Sequence, residues 1–355
     1  MNDLLRHAVA RGASDLHLGA GLPPVLRVDG RLERTSLPDL SPEQVRGFVD
    51  EVTTPEQRAQ FESRGELDFS YGVPGLGRFR VNVFMQRGTV AFAVRLIPTE
   101  VPSPEELGLP PALVRMAFSP KGFLLVTGPA GSGKSTTLAA LIDTINRNSE
   151  RHIITLEDPI EYLHRHRRSV VHQREVGGDT RSFADGLRAA LRQDPDVIMI
   201  GEMRDLDTMA TAITAAETGH LVMATLHTID AAQTVARIVD AFPAAQQNQV
   251  RVQLAGCLLG VAAQQLIPRA DGSGRVAAFE LLVCTAAAAN LIREGKIHQL
   301  ATVLETGGSM GMMTMRQSLA RLWQAGIISE AEYTRRIAAP GGGIGRALVE
   351  FPGAR

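Results

Sequence analysis

The sequence predicts an α/β fold, a parallel sheet covered by helices, preceded by a smaller α+β domain. Three observations predict it. From Lys121 onward, apolar runs of four to six residues alternate with helical stretches, as in a sheet buried on both faces. One of those runs, FLLVT, leads directly into GPAGSGKS (128–135), which fits G-x-x-x-x-G-K-[ST] between a strand and a helix. Before residue 98 the apolar residues instead alternate in short segments, the mark of strands with one buried face.

The elements follow in order. Asp3–Arg11 reads as a helix, PVLRVDGRLE (24–33) as extended, and Ser41–Glu62 as helical, with Ser41-Pro42-Glu43-Gln44 as cap and first turn. LDFSYGV (67–73) and GRFRVNVFMQRGTVAFAVRLI (77–97) follow, the latter as two strands around an Arg-Gly turn. These make a domain over 1–98. IPTEVPSPEELGLPP (97–111), rich in proline and acid, opens a linker and short helix over 99–120. The α/β domain covers 121–340, including a helix over Thr136–Ile145. The Gly-rich tail 341–355 is expected to be poorly ordered. There is no internal repeat.

Composition narrows the function classes. With 355 residues, 44% of them hydrophobic, two domains with real cores are expected. A net charge of −1 gives no general attraction to nucleic acid or an anionic membrane. Cys257 and Cys284 form no CxxC pair, which argues for a reducing compartment and against structural zinc. The start, MNDLLRHAVARG, lacks the apolar core of a signal peptide, and LLVCTAAAANLI (281–292) falls short of the ~20 residues that span a bilayer. A soluble cytoplasmic chain is expected.

The glycine-rich loop carries the first chemistry. Its nucleotide-binding set is Gly128, Pro129, Ala130, Gly131, Ser132, Gly133, Lys134, Ser135 and Thr136. The glycines let backbone N–H groups wrap phosphate oxygens at a helix N-terminus. Lys134 reaches the outer phosphates, and Ser135 ligates the Mg²⁺ that accompanies the nucleotide. Three further strands end in polar groups: HIITLEDPIEY (152–162) in Glu157 and Asp158, DVIMIGEMRD (196–205) in Glu202, and GHLVMATLHT (219–228) in His227. Ligands bind outside the carboxyl ends of such strands, so these groups should converge beside the loop. Asp196 precedes its strand, about 20 Å from Glu202 at ~3.3 Å per residue, so one phosphate site holds only one of them.

Glu202 is therefore the candidate catalytic acid, orienting and helping to deprotonate an attacking water or holding Mg²⁺ through water. The bland alternative is a strand-end carboxylate facing Arg204. Glu157 is a second candidate, although Asp158-Pro159 also makes a turn. His227 is placed to donate to a γ-phosphate and report its presence. His220 sits at the opposite end of the same strand, so the two read as a switch strand rather than a catalytic pair.

Together, and in this order, the P-loop, ITLEDPIEY, GEMRD and GHLVMATLHT resemble the secretion and type IV pilus ATPase superfamily, where they are Walker A, Asp box, Walker B and His box. ASDLHL (13–18) matches the family near the N-terminus. QREVGGDTRSFADGLRAALRQDPD (173–196) and NLIREGK (290–296) are similar to the PilT-like retraction motors of twitching motility. The resemblance implies a PAS-like N-terminal domain, a RecA-like P-loop ATPase domain, ATP and Mg²⁺, and a homohexamer. It also implies a platform partner in the bacterial inner membrane, with the motor at its cytoplasmic face and touching the membrane only through that partner. Arginines of the N-terminal domain approach the phosphates in relatives, which makes Arg78, Arg80 and Arg95 candidates here. Two departures stand out. Ala130 occupies a position where many relatives carry Thr. Ala289 stands where retraction motors carry an arginine in an A-I-R-N-L helix, which bears on coupling more than on hydrolysis. Two cysteines do not supply the four-cysteine zinc insertion of assembly and type II secretion relatives. Competing readings are pilus assembly or secretion, a nucleic-acid motor, and an accessory nucleotide-binding subunit. HRHRR (164–168) lacks the interleaved aromatics of a base-stacking surface, so no nucleic-acid partner is expected.

Overall fold

The computed structural model describes residues 1–28 and 30–338. The tail over 341–355 lies outside the described residues. The chain divides into two compact units, Met1–Glu100 with Pro159–Leu163, and Val101–Asp158 with His164 onward. The five residues after Asp158 thus fold with the first unit, although the sequence places them among the second.

In the first unit the elements run α1 (Asn2–Ala10), β1 (Asp15–Gly19), β2 (Val25–Val28), β3 (Arg31–Arg34), α2 (Pro42–Val52), α3 (Pro55–Arg64), β4 (Glu66–Val73), β5 (Gly77–Gln86) and β6 (Thr89–Leu96). The strands form one antiparallel sheet in the order β3-β2-β1-β6-β5-β4. Phe79, Val81 and Val83, every second residue of β5, enter a core shared with Leu16, Phe92 and Val94 and with Val45, Val49 and Phe61 from the helices. The β5–β6 turn has positive φ at both Arg87 and Gly88, as its Arg-Gly sequence predicts. Ser41–Glu62 is two helices rather than one. Thr54 forms a second capping box with Gln57, as Ser41 does with Gln44, and Pro55 has no N–H to extend the first helix.

The second unit continues with α4 (Pro111–Met116), β7 (Gly122–Thr127), α5 (Lys134–Asn148), β8 (His152–Glu157), β9 (Val170–Glu175), α6 (Phe183–Ala190), β10 (Val197–Ile200), α7 (Leu206–Glu217), β11 (Leu221–Leu226), α8 (Ala231–Asp240), α9 (Ala244–Cys257), β12 (Leu258–Pro268), β13 (Arg275–Val283), α10 (Ala286–Arg293), α11 (Leu300–Thr306), α12 (Met315–Gln324) and α13 (Glu330–Ala338). Its sheet runs β13-β12-β7-β11-β10-β8-β9, parallel except for β13. Successive residues of the central strands feed opposite cores. Phe123, Leu125, Ile198, Ile200, Val222 and Ala224 face one; Leu124, Val126, Val197, Met199, Leu221 and Met223 face the other. Burial on both faces explains why these strands read as continuous apolar runs. Among the described residues, no helix is long and apolar enough to cross a membrane.

Candidate active site

Thr127 ends β7, and α5 begins at Lys134, so the glycine-rich loop joins a buried strand to a helix N-terminus. Two glycines are sterically required. At Gly128 (φ 147°) a Cβ would stand 2.6 Å from Ser132 Oγ and closer still to the Gln264 carbonyl oxygen. At Gly133 (φ 88°) it would meet Gln264 Nε2 at 2.8 Å. Gln264, buried on β12, also accepts a hydrogen bond from Thr137 Oγ1 (2.7 Å), so it props the loop from the neighbouring strand. Ser132 is buried, and its hydroxyl has no hydrogen-bond partner among the described residues. A buried hydroxyl at the mouth of a helix N-terminus fits a phosphate oxygen.

Parallel pairing brings the other strand ends alongside. β11 lies between β7 and β10, with β8 beyond β10. Lys134 Nζ donates to Gly128 O (2.8 Å) and Pro129 O (3.0 Å), and stands 3.4 Å from His227 Nδ1. An ammonium group only donates, so His227 Nδ1 accepts and the imidazole proton sits on Nε2. That nitrogen is 2.9 Å from Glu202 Oε1. Arg204 holds the other carboxylate oxygen at 2.7 Å. Lys134, His227, Glu202 and Arg204 therefore form one continuous array. The Arg204 hydrogen bond, aided by the hydrogen bond from His227, outweighs partial burial and keeps the Glu202 carboxyl below its ordinary range. Thr225 Oγ1 donates to Gly201 O, and Met203 N to Thr225 O, which fixes the turn bearing Glu202.

Glu157 is buried at the end of β8, one strand over. Its Oε1 accepts from Thr155 Oγ1 (2.7 Å) and Gln173 Nε2 (3.0 Å). Gly201 packs against the end of β8, where a Cβ would lie 3.2 Å from the Leu156 carbonyl oxygen. Asp158 adds negative potential at Arg204. Ser135 and Thr136 occupy the first turn of α5. A cavity of about 200 Å³ opens beside Gly133 and Thr136, walled by Leu107, Leu266 and Val276 with Arg269 and Arg275 at its edge.

Other sequence candidates lie apart from this array. His220 precedes β11, where Nδ1 donates to Ala215 O (3.0 Å) at the end of α7, a structural bond. Asp196 likewise caps the far edge, accepting from His152 N (2.8 Å). Arg80 and Arg95 are paired across β5 and β6 in the first unit, where they bind Asp68 (2.9 Å) and Asp15 (2.9 Å). Arg78 lies on β5 opposite Gly72.

With the geometry in hand, comparison with known proteins is decisive. Residues 1–335 match the family model described as type II/IV secretion system protein. This chain belongs to that family. Among relatives of this secretion-family chain, the type IV pilus retractation ATPase PilT of Pseudomonas aeruginosa is 49% identical over 93% of this chain and 95% of its own. A twitching motility protein of Neisseria gonorrhoeae is 49% identical over 88% of this chain and 84% of its own. A crystal structure of the pilus retraction motor PilT with bound ADP superposes with a TM-score of 0.86 at 49% identity, covering 94% of this chain and 95% of that one. Within this family member, Gln264, Gln173 and Thr225 are site residues that the sequence reading missed. For Gln264 and Thr225 the only sequence signal is a polar residue inside an otherwise apolar strand; Gln173, on the largely polar β9, carries no such signal.

Proposed function

We propose that this chain is the subunit of a Mg-dependent ATPase motor that powers type IV pilus retraction. The observation that carries the catalytic reading is the His227 bridge between Lys134 and Glu202, since it joins the phosphate-binding loop to the catalytic carboxylate. The work done is carried by likeness to the retraction ATPase and the twitching motility protein.

In this reading the loop amides, the Ser132 hydroxyl and Lys134 receive the phosphates of ATP. To do so Lys134 turns from the Gly128 and Pro129 carbonyls and releases His227 Nδ1. His227 then reports phosphate occupancy to Glu202 through its Nε2–H. Glu202 orients the attacking water and accepts its proton as the new P–O bond forms and the bond to the ADP oxygen breaks. Its lowered pKa makes it a positioning carboxylate more than a strong base. The Leu107–Leu266–Val276 cavity receives the base. Ser135 would hold a magnesium ion, which would neutralise phosphate charge. Among the described residues no group of three His, Cys, Asp or Glu is placed to hold a metal alone, so the ion would arrive with the nucleotide. Arg78, or Arg80 or Arg95 once freed from its carboxylate, completes the site, and six subunits form the ring. A cytoplasmic position at the inner membrane, reached through a platform protein, follows from the same likeness.

Pilus assembly or secretion is the second reading. Ala289 favours it, because α10 carries a small, half-buried alanine where retraction motors present an arginine. One experiment separates the two: replace the native protein by Glu202→Gln and count surface pili. Turnover should fall about 10²- to 10⁴-fold. Many pili without twitching support retraction, whereas bald cells overturn it in favour of assembly.

A further inference from the structure

We infer that Thr228 is a positioning residue for His227, acting through a partly buried chain of hydroxyls that joins the start of the P-loop to α8. The inference rests on the ATPase reading above.

β11 ends at Leu226, whose last ladder partner is Thr127. Beyond it the sheet no longer restrains the backbone, yet His227, with a side chain 49% exposed, must hold its ring between Lys134 and Glu202. The restraint comes from side chains. Thr127 Oγ1 lies 2.6 Å from Thr228 Oγ1, and Thr228 Oγ1 lies 2.7 Å from Thr234 Oγ1. Thr234 Oγ1 donates to the Asp230 carbonyl at 2.7 Å. The Thr127 proton is shared between Thr228 Oγ1 and Thr228 O, the Thr228 proton goes to Thr234 Oγ1, and the Thr234 proton goes to the Asp230 carbonyl. Thr127 and Thr234 are fully buried.

Both ends of this chain are anchored. Thr127 is the residue before Gly128 and also reaches Thr228 O at 2.6 Å. At the other end, Asp230 caps α8 through Gln233 N (2.7 Å), and Glu280 accepts from Ala231 N (2.9 Å). The hydroxyls thus couple the first residue of the phosphate loop, the backbone beside His227 and the first turn of α8. Packing alone calls for no such chain, since valine has nearly the shape of threonine and carries no polar group to desolvate. A fixed ring position is what it supplies, and catalytic geometry is sensitive to displacements of about 1 Å.

The test uses the full chain with Thr228→Val and Thr228→Ser, measuring steady-state ATP turnover and, separately, ADP affinity by calorimetry. The expected result is a roughly tenfold or greater loss of kcat in Thr228→Val with ADP affinity within about twofold of wild type, and recovery in Thr228→Ser. Thr234→Val, one link further along, should show the same split and serves if Thr228→Val does not fold. Wild-type kcat in the valine variants overturns the inference while leaving the ATPase reading intact. So does a parallel loss of kcat and ADP affinity, which marks a structural role only. A wild-type protein without ATP turnover overturns both.

Discussion

At the residue scale, Glu202 is defined by what surrounds it rather than by its own chemistry. Arg204 on one oxygen and His227 on the other hold it ionised, so a neutral substitution of Arg204 should raise its pKa. Since the carboxylate is the active form, the acidic limb of the kcat/KM profile in Arg204→Gln is expected to move to higher pH. A profile unchanged from wild type would rule out Arg204 as the cause. The sign for stability follows the same direction. A carboxyl with a lowered folded-state pKa contributes stability above its unfolded value, and that contribution fades as pH falls through the folded one. His164 shifts stability in the same direction for a different reason. Burial pushes its imidazole down to about 4 from 6.5, and its Nδ1 has no partner among the described residues. It stays neutral when folded, so the unfolded chain binds the extra proton as pH falls from 6.5 to about 4. Stability should drop by roughly 2 kcal/mol between pH 7 and 5, an order-of-magnitude figure from 1.36 kcal/mol per pKa unit. Urea unfolding at the two pH values should show this slope in the wild type and a flatter one in His164→Leu.

At the element scale, several joints are made by single polar side chains. Asn146, fully buried on α5, donates to Arg165 O (2.7 Å) and accepts from Arg167 N (3.1 Å), shaping the basic HRHRR stretch before β9. Asn146→Ala strands both backbone groups and is expected to cost about 2 kcal/mol, measured by denaturant midpoint. The basic stretch is thereby a shaped edge, with Arg168 on Glu150 (2.9 Å). Thr54 illustrates a smaller joint. Thr54→Ala removes the hydroxyl half of the box at α3, for an expected loss of about 1 kcal/mol in the first unit. Ser41–Glu62 reads as helical from its sequence, and the break within it depends on two side-chain hydrogen bonds and one missing N–H.

At the scale of the whole molecule, the backbone crosses between the two units three times, after Glu100, Asp158 and Leu163. The middle crossing directly follows the carboxylates at the end of β8, so the Asp-box strand is tied by its own backbone to the first unit. If the site is completed by a neighbouring subunit, as the family likeness supports, specific activity should rise with protein concentration until rings form. Turnover measured alongside sedimentation velocity checks this. Constant specific activity from dilute monomer upward would refute a shared site.

What the sequence by itself determined was the order and local chemistry of the site. Each motif is a strand followed by its polar group within ten residues, and period, apolar run and turn residue are all local signals. The same locality placed His220 and Asp196 at the wrong end of their strands for chemistry. Only the tertiary structure decided which groups touch. Lys134 reaches His227, Gln264 props Gly128 and Gly133, and Thr127 meets Thr228 across chain separations that no local pattern encodes. Those contacts depend on strand order and register in the sheet, which are set by how side chains pack on its two faces rather than by any segment's own preference.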